Sequence, residues 1–170
     1  GPEAVARISV ACSNLPRPYP PLAIEIQAAL EIEGFAFDMN VACASATFAI
    51  DLAAKYAASS QKGILVINPE ICTAHLNFRD RDSHFIFGDA CTAVFIENLA
   101  KVDSPSCFEI LSTHLKTSFS NNIRNNFGFL NSTHFNLFKP EQLLFKQNGR
   151  KVFKDVVTLV GQHLKEHLNS

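Results

Sequence analysis

Hydrophobic and polar positions along this chain follow two periods, and the switches between them mark its elements. Ile8 to Ser13 is a short, largely apolar run that predicts a buried strand. Asn14 to Pro21 contains four prolines, which lack an amide hydrogen and fix φ, so a stiff loop is predicted there. Leu22 to Glu31 has the helical period, with Leu22, Ile26, Ala29 and Leu30 on one face, and Gly34 is the expected stop. Phe35 to Val41 alternates as a strand, with Phe35, Phe37 and Met39 pointing one way. Cys43 to Ser59 is alanine-rich and helical. Its only charged residues are Asp51 and Lys55, which predicts burial on most sides.

Gly63 to Asn68 is continuously apolar, as suits a strand covered on both faces. Arg79 to Ser83 is a charged turn, and strands are predicted at Phe85–Phe87, Thr92–Glu97 and Phe108–Lys116. Ser118 to Pro140 is Asn-rich, aromatic and without a period, which predicts a long functional loop or flap. Gly149 to Leu168 is amphipathic, with Val152, Phe153, Val156, Val157, Val160 and Leu164 on its inner side. Strands and helices alternate, so the expected class is α/β with layered helices. There is no internal repeat, low-complexity segment or clear linker.

Composition narrows the function classes. The chain has 170 residues and is 47% hydrophobic and 18% charged, which fits a folded domain and excludes a disordered one. A net charge of -1 gives no nucleic-acid footprint. No apolar run is long enough to span a bilayer and no signal peptide opens the chain, so no membrane partner is expected. Gly1-Pro2, with no Met before them, read as a scar left by tag removal. The five cysteines (Cys12, Cys43, Cys72, Cys91, Cys107) form no CxxC pair and no zinc-spaced cluster with His. An odd count without a secretory signal argues for reduced thiols and a cytoplasmic setting. Cys12, Cys72, Cys91 and Cys107 are expected to be small buried hydrophobes.

Cys43 differs. It stands where a predicted strand runs almost directly into a predicted helix, and there free N–H groups and the helix dipole favour negative charge. The same amides can hold the oxyanion formed when a thioester carbonyl is attacked. The small neighbours Ala42, Ala44, Ser45 and Ala46 leave room for an acyl chain or a pantetheine arm. Position alone favours a cysteine packed at a helix start, and the flanking residues, read together, change that weight.

Asp38 to Ile50 (AspMetAsnValAlaCysAlaSerAlaThrPheAlaIle) resembles the nucleophile segment of 3-oxoacyl-[acyl-carrier-protein] synthase III. Asp80 to Ala90 resembles that family's Asp-Arg…Phe-Gly-Asp segment, and Asn148 to Lys154 its Asn-Gly-x-x-Val-Phe-Lys helix start. Pro18 to Pro20 falls where the family has an aromatic-Pro loop. These segments occur in the family's order and span nearly the whole chain. Cys91 and Thr92 depart from the small residues usual after Phe-Gly-Asp. Ser118 to Asn131 departs from acetyl-specific members and resembles a branch associated with longer acyl primers.

The resemblance implies a partial thiolase-like layered αβαβα fold. Residues 1–104 would be most of a nucleophile-bearing N-terminal half, and 105–170 the flap loop and opening helix of a C-terminal half. It implies an acyltransferase of fatty-acid synthesis. Cys43 would take the acyl group from acyl-CoA, malonyl-ACP would decarboxylate, and its carbanion would attack the acyl-enzyme to give 3-oxoacyl-ACP. Tyr19, Arg81, Ile86, Gly149 and Phe153 would bind substrate: Arg81 the CoA nucleotide, Gly149 and Phe153 the pantetheine tunnel, Tyr19 the acyl pocket across a dimer interface. Asp89 would be structural. Implied partners are acyl-CoA, an acyl carrier protein and a second identical subunit, with acyl-CoA as substrate and no cofactor or metal; Lys151 and Lys154 open the last helix, where they fit an ordinary solvated face or a contact with an acidic carrier protein.

The family's catalytic His and Asn segments are not found in these residues. Histidines 75, 84, 114, 134, 163 and 167 have no context that makes one of them the general base, and His84 is expected to be packed. His163 and His167, four apart, have the spacing of a metal pair and equally of a solvated helix face. The chain alone is therefore expected to be unable to condense and at most to be acylated on Cys43. The alternatives are a folded acyl-binding or dimerisation unit without catalysis, and a cysteine hydrolase, for which no paired His is recognisable.

Overall fold

The apolar runs assemble around one sheet. The structure, a computed structural model, describes residues 1–125 and 139–169. The chain forms two compact units: Gly1–Ile71 with Ala90–Thr113, and Cys72–Asp89 with His114–Ser170.

In the first unit the elements run β1 (Val5–Ala11), α1 (Leu22–Ala29), β2 (Phe35–Met39), α2 (Ser45–Ser59), β3 (Gly63–Ile71) and β4 (Asp89–Ile96), with sheet order β2-β1-β3-β4. β1 pairs in parallel with both β2 and β3. The chain moves outward from β1 to β2, then back past β1 to β3. Right-handed crossovers in opposite directions put their helices on opposite faces of the sheet. The side chains confirm it. Ile8 and Val10, with Ala36, Leu65 and Ile67, pack against Ala23, Leu22 and Ile26 of α1. Ala11, Met39, Ile64 and Val66 pack against Ala49, Ala53 and Ala57 of α2.

The alternation of β2 holds as read: Phe35 stacks near Phe37 and meets Tyr56 of α2 edge-on. Opposite, the Asp38 carboxylate accepts the Leu22 and Ala23 amides at 2.8 and 2.7 Å and caps α1, a helix whose own N-cap, Pro21, offers no side-chain bond. Gly34 is required by the approach of β2 to β1. Its φ is +123°, and a Cβ there would lie 2.0 Å from the Ala6 carbonyl oxygen.

Several boundaries differ from expectation. α1 ends at Ala29, before Gly34, because Ile32 and Glu31 donate to the Gln27 and Ala28 carbonyls with Glu31 at φ 53°, a Schellman closure made without glycine. Ala29 and Leu30 are exposed, and Ala23 takes the buried place. α2 starts at Ser45, two residues after Cys43, and is buried chiefly along Ser45, Ala49, Ala53 and Ala57. These small residues, one every four, let the helix lie close to the sheet. Asp51 is buried beside them and bonded to Lys55 at 2.7 Å and to the Thr113 hydroxyl. Residues 85–87 form turn and bend, and 108–116 form no strand, because no strand among the described residues pairs with them. Phe108 and Leu111 are 99% and 86% exposed.

In the second unit, Phe145 packs edge-on against Phe87 (4.9 Å between ring centroids) and His75 (6.2 Å), and its amide donates to the His75 carbonyl at 2.7 Å. α3 (Gly149–Leu168) has the predicted bounds and is capped by Asn148, whose side chain accepts the Lys151 amide at 3.2 Å. Of its predicted inner face, Val152 is half-buried, and Phe153, Val156, Val157, Val160 and Leu164 are exposed. Most of the predicted flap, residues 126–138, lies outside the described residues, as does His134. No described helix is long and apolar enough to cross a membrane.

Candidate active site

Cys43 is exposed, at the carboxyl end of β2 and two residues before α2. The turn that presents it is strained. Ala42 has φ 48°, a left-handed conformation that costs a side-chain-bearing residue about 1–2 kcal/mol. Two side chains hold it. Ser45, 2% exposed, donates to the Ala42 carbonyl at 2.6 Å and accepts the Val41 amide at 2.8 Å. Asn40 accepts the Ala42 amide at 2.8 Å and donates to the Ser13 carbonyl at 3.2 Å. The Ala44 and Ser45 amides close back on the Val41 and Ala42 carbonyls, both at 3.1 Å. From Val41 to Ser45, therefore, the Cys43 amide is the one without an acceptor among the described residues. It stands beside the thiol.

Sequence reading placed Cys43 and its small neighbours but missed the holding residues. Ser45 was read as a spacer. Its signal is a hydroxyl two residues past the cysteine, at the start of an alanine-rich helix. Asn40 carried none beyond its polarity at the end of a strand.

The remaining candidates are distributed as follows. Tyr19 lies in the first unit, on the proline loop, 73% exposed. Arg81, Ile86, Gly149 and Phe153 lie in the second. Arg81 is exposed on a turn tied by Asp80, which accepts the Ser83 hydroxyl at 2.7 Å and the Asp82 amide at 3.0 Å. Those bonds, the Ser83 hydroxyl first, hold the Asp80 carboxyl below its ordinary range. Ile86 closes the same turn through its amide to the Ser83 carbonyl at 3.1 Å. Gly149 and Phe153 occupy the first two turns of α3, both exposed. Asp89 accepts both the hydroxyl and the amide of Thr73, at 2.7 and 2.9 Å, and these two bonds lower its pKa. That is a structural role, as expected. His84 is exposed rather than packed, its ring turned to the Asp80 carbonyl. His163 and His167 pack with His114, and no described group of three His, Cys, Asp or Glu residues has metal-holding geometry. Of the cysteines expected to be buried, Cys12 is, Cys72 is half-buried, and Cys91 and Cys107 are exposed. β4, which carries Cys91, is exposed along nearly its whole length, so it lacks the cover that would bury a thiol there.

The profile of the 3-oxoacyl-[acyl-carrier-protein] synthase III family matches residues 37–118, a span that contains Cys43, the Arg81 turn and β4. The beta-ketodecanoyl-[acyl-carrier-protein] synthase of Pseudomonas aeruginosa is 58% identical over 95% of this chain and 46% of its own length. The chain is a relative of 3-oxoacyl-[acyl-carrier-protein] synthase III. The beta-ketoacyl-[acyl-carrier-protein] synthase III of Granulibacter bethesdensis is 31% identical over 96% of the chain and 50% of its own length. The crystal structure of the Pseudomonas aeruginosa synthase III superposes with TM-score 0.78 over 97% of this chain and 49% of that one, at 18% identity, and establishes the shared fold. The chain thus spans about half the length of the curated synthases it matches.

Proposed function

We propose that this chain supplies the acyl-accepting step of a fatty-acid condensing acyltransferase, with Cys43 as the nucleophile. One observation carries the reading: an exposed thiol directly after a strained, left-handed residue, with its own amide open, at the mouth of an alanine helix. The Cys43 sulfur forms a bond to the thioester carbonyl of acyl-CoA, and the Cys43 amide donates to the developing oxyanion. The carbon–sulfur bond to CoA then breaks, and CoA leaves as its thiol with the proton that Cys43 gave up. Arg81, Ile86, Gly149, Phe153 and Tyr19 are the proposed substrate contacts. Arg81 suits the CoA nucleotide because a planar guanidinium both stacks and binds phosphate.

Decarboxylative condensation with malonyl-ACP belongs to the complete enzyme in this reading, since the general base and the Asn that it needs are not recognisable in these residues. The proposed partners are acyl-CoA, malonyl-ACP and a second copy of the chain. The outer edge of β2 is open to such a copy, as it pairs on one side only among the described residues. The odd number of cysteines, five, favours a reducing, cytoplasmic setting. The name of the 58%-identical relative favours a medium-chain acyl group. The exposed apolar face of α3 favours a second reading, a folded acyl-binding or dimerisation unit without chemistry of its own.

Intact-mass measurement separates the two. After incubation with octanoyl-CoA, the donor two carbons shorter than a ketodecanoyl product, the chain is expected to gain one octanoyl mass, and Cys43→Ala is expected to abolish it. A folded chain that gains nothing overturns the nucleophile reading.

A further inference from the structure

The Cys43 turn is anchored outside its own helix. Ser13 follows β1, Asn40 follows β2, and Glu70 lies near the end of β3. Glu70 spends one oxygen on the Ser13 amide and the other on the Ser13 hydroxyl, both at 2.7 Å. The Ser13 carbonyl takes the Asn40 side-chain amide at 3.2 Å, and the Asn40 oxygen takes the Ala42 amide at 2.8 Å. Side chains thus tie the carboxyl ends of three neighbouring strands into one line, and the line ends on the left-handed residue before the nucleophile.

We infer that Glu70, Ser13 and Asn40 form a positioning relay that sets the direction of the Cys43 thiol and amide; the inference rests on the reading of Cys43 as acyl acceptor. The physical argument is conformational. A residue with a side chain is disfavoured at φ 48°, so relaxation of Ala42 would rotate the peptide that carries the Cys43 amide. Asn40 holds the Ala42 amide in place, and Asn40 is itself held only as firmly as Ser13. Glu70 makes Ser13 firm, because a carboxylate accepting two donors from a single residue fixes both its backbone and its rotamer. Attack on a thioester needs thiol and amide aligned together, whereas alkylation by a small reagent needs the thiol alone.

That difference gives the test. The rate of Cys43 acylation by octanoyl-CoA and its rate of alkylation by iodoacetamide are both followed on the Cys43 peptide by mass spectrometry, because Cys91 and Cys107 are exposed too. Asn40→Ala is expected to slow acylation by about 10- to 100-fold, the range for a misdirected reacting group, while changing alkylation by less than about threefold. Ser13→Ala is expected to act the same way more weakly and serves if Asn40→Ala does not fold. Ser13→Thr, which keeps both donors, is expected to retain acylation. The Asn40→Ala/Glu70→Gln pair is expected to lose little more than Asn40→Ala alone, as for members of one chain of contacts. A ratio of acylation to alkylation that is the same in wild type, Asn40→Ala and Ser13→Ala overturns the relay alone. A wild-type chain that takes no acyl group on Cys43 overturns the acyl-acceptor reading and the relay with it.

Discussion

Replacing Ala42 by glycine should stabilise this protein, against the usual sign of that substitution. Alanine at φ 48° carries a penalty of about 1–2 kcal/mol that glycine does not. Against this, glycine has more freedom to lose on folding, worth about 0.4–1 kcal/mol. Ala42 is exposed, so its methyl group contributes no core packing, and the backbone bonds to Asn40 and Ser45 survive the change. The net expectation is a gain of about 0.5–1 kcal/mol, because the strain term exceeds the entropy term. For a chain of this size that is a rise in Tm of about 1–4 °C. Thermal melts followed by circular dichroism, with urea titration as a second measure, provide the assay. Ala54→Gly in the interior of α2 is the control and should cost about 1 kcal/mol. If Ala42→Gly lowers stability as much as Ala54→Gly does, Ala42 is not strained, and the account of how Cys43 is presented fails.

Three further outcomes follow from other parts of the structure. Gly34→Ala should cost more than about 3 kcal/mol, since it adds a 2.0 Å clash with the Ala6 carbonyl to the strain at φ +123°; loss of soluble, cooperatively melting protein is the readout. Asp51 is held below the ordinary carboxylate range by its hydrogen bond to Lys55 and then by that from Thr113. A lowered folded-state pKa favours folding fully above the unfolded value of about 3.9 and is lost as pH falls through the folded value. The stability difference between wild type and Asp51→Asn, from urea melts between about pH 6 and about pH 3, should therefore shrink at the acid end, and a constant difference would refute the assignment. Asn148→Ala removes the α3 cap and should cost about 1 kcal/mol, seen as faster amide exchange in the first turn of α3 with α2 unchanged.

The local pattern in the sequence was enough to identify β1, β2, α2, β3 and α3, because apolar side chains gathered on one face recur every 3.6 residues in a helix and every two in a strand, or fill a short run covered on both faces. It also picked out Cys43, a cysteine between a strand and an alanine helix, because family-like segments occur in order along the chain around it. Expectations failed where an element's state depends on distant residues. Phe108–Lys116 has strand composition but no partner strand among the described residues, so it joins no sheet there. The apolar stripe of α3 was legible, yet whether anything covers it is not a property of α3. α1 ended early because Glu31 could adopt a left-handed closure once Ile32 had a core to enter. The site divides in the same way. Sequence supplied the proposed nucleophile. Tertiary structure supplied what aims it: Glu70 reaching Ser13 across 57 residues of chain, and Asn40 reaching Ser13 across 27. A hydrogen bond between side chains leaves no periodic trace in a sequence, because its partners need only meet in space.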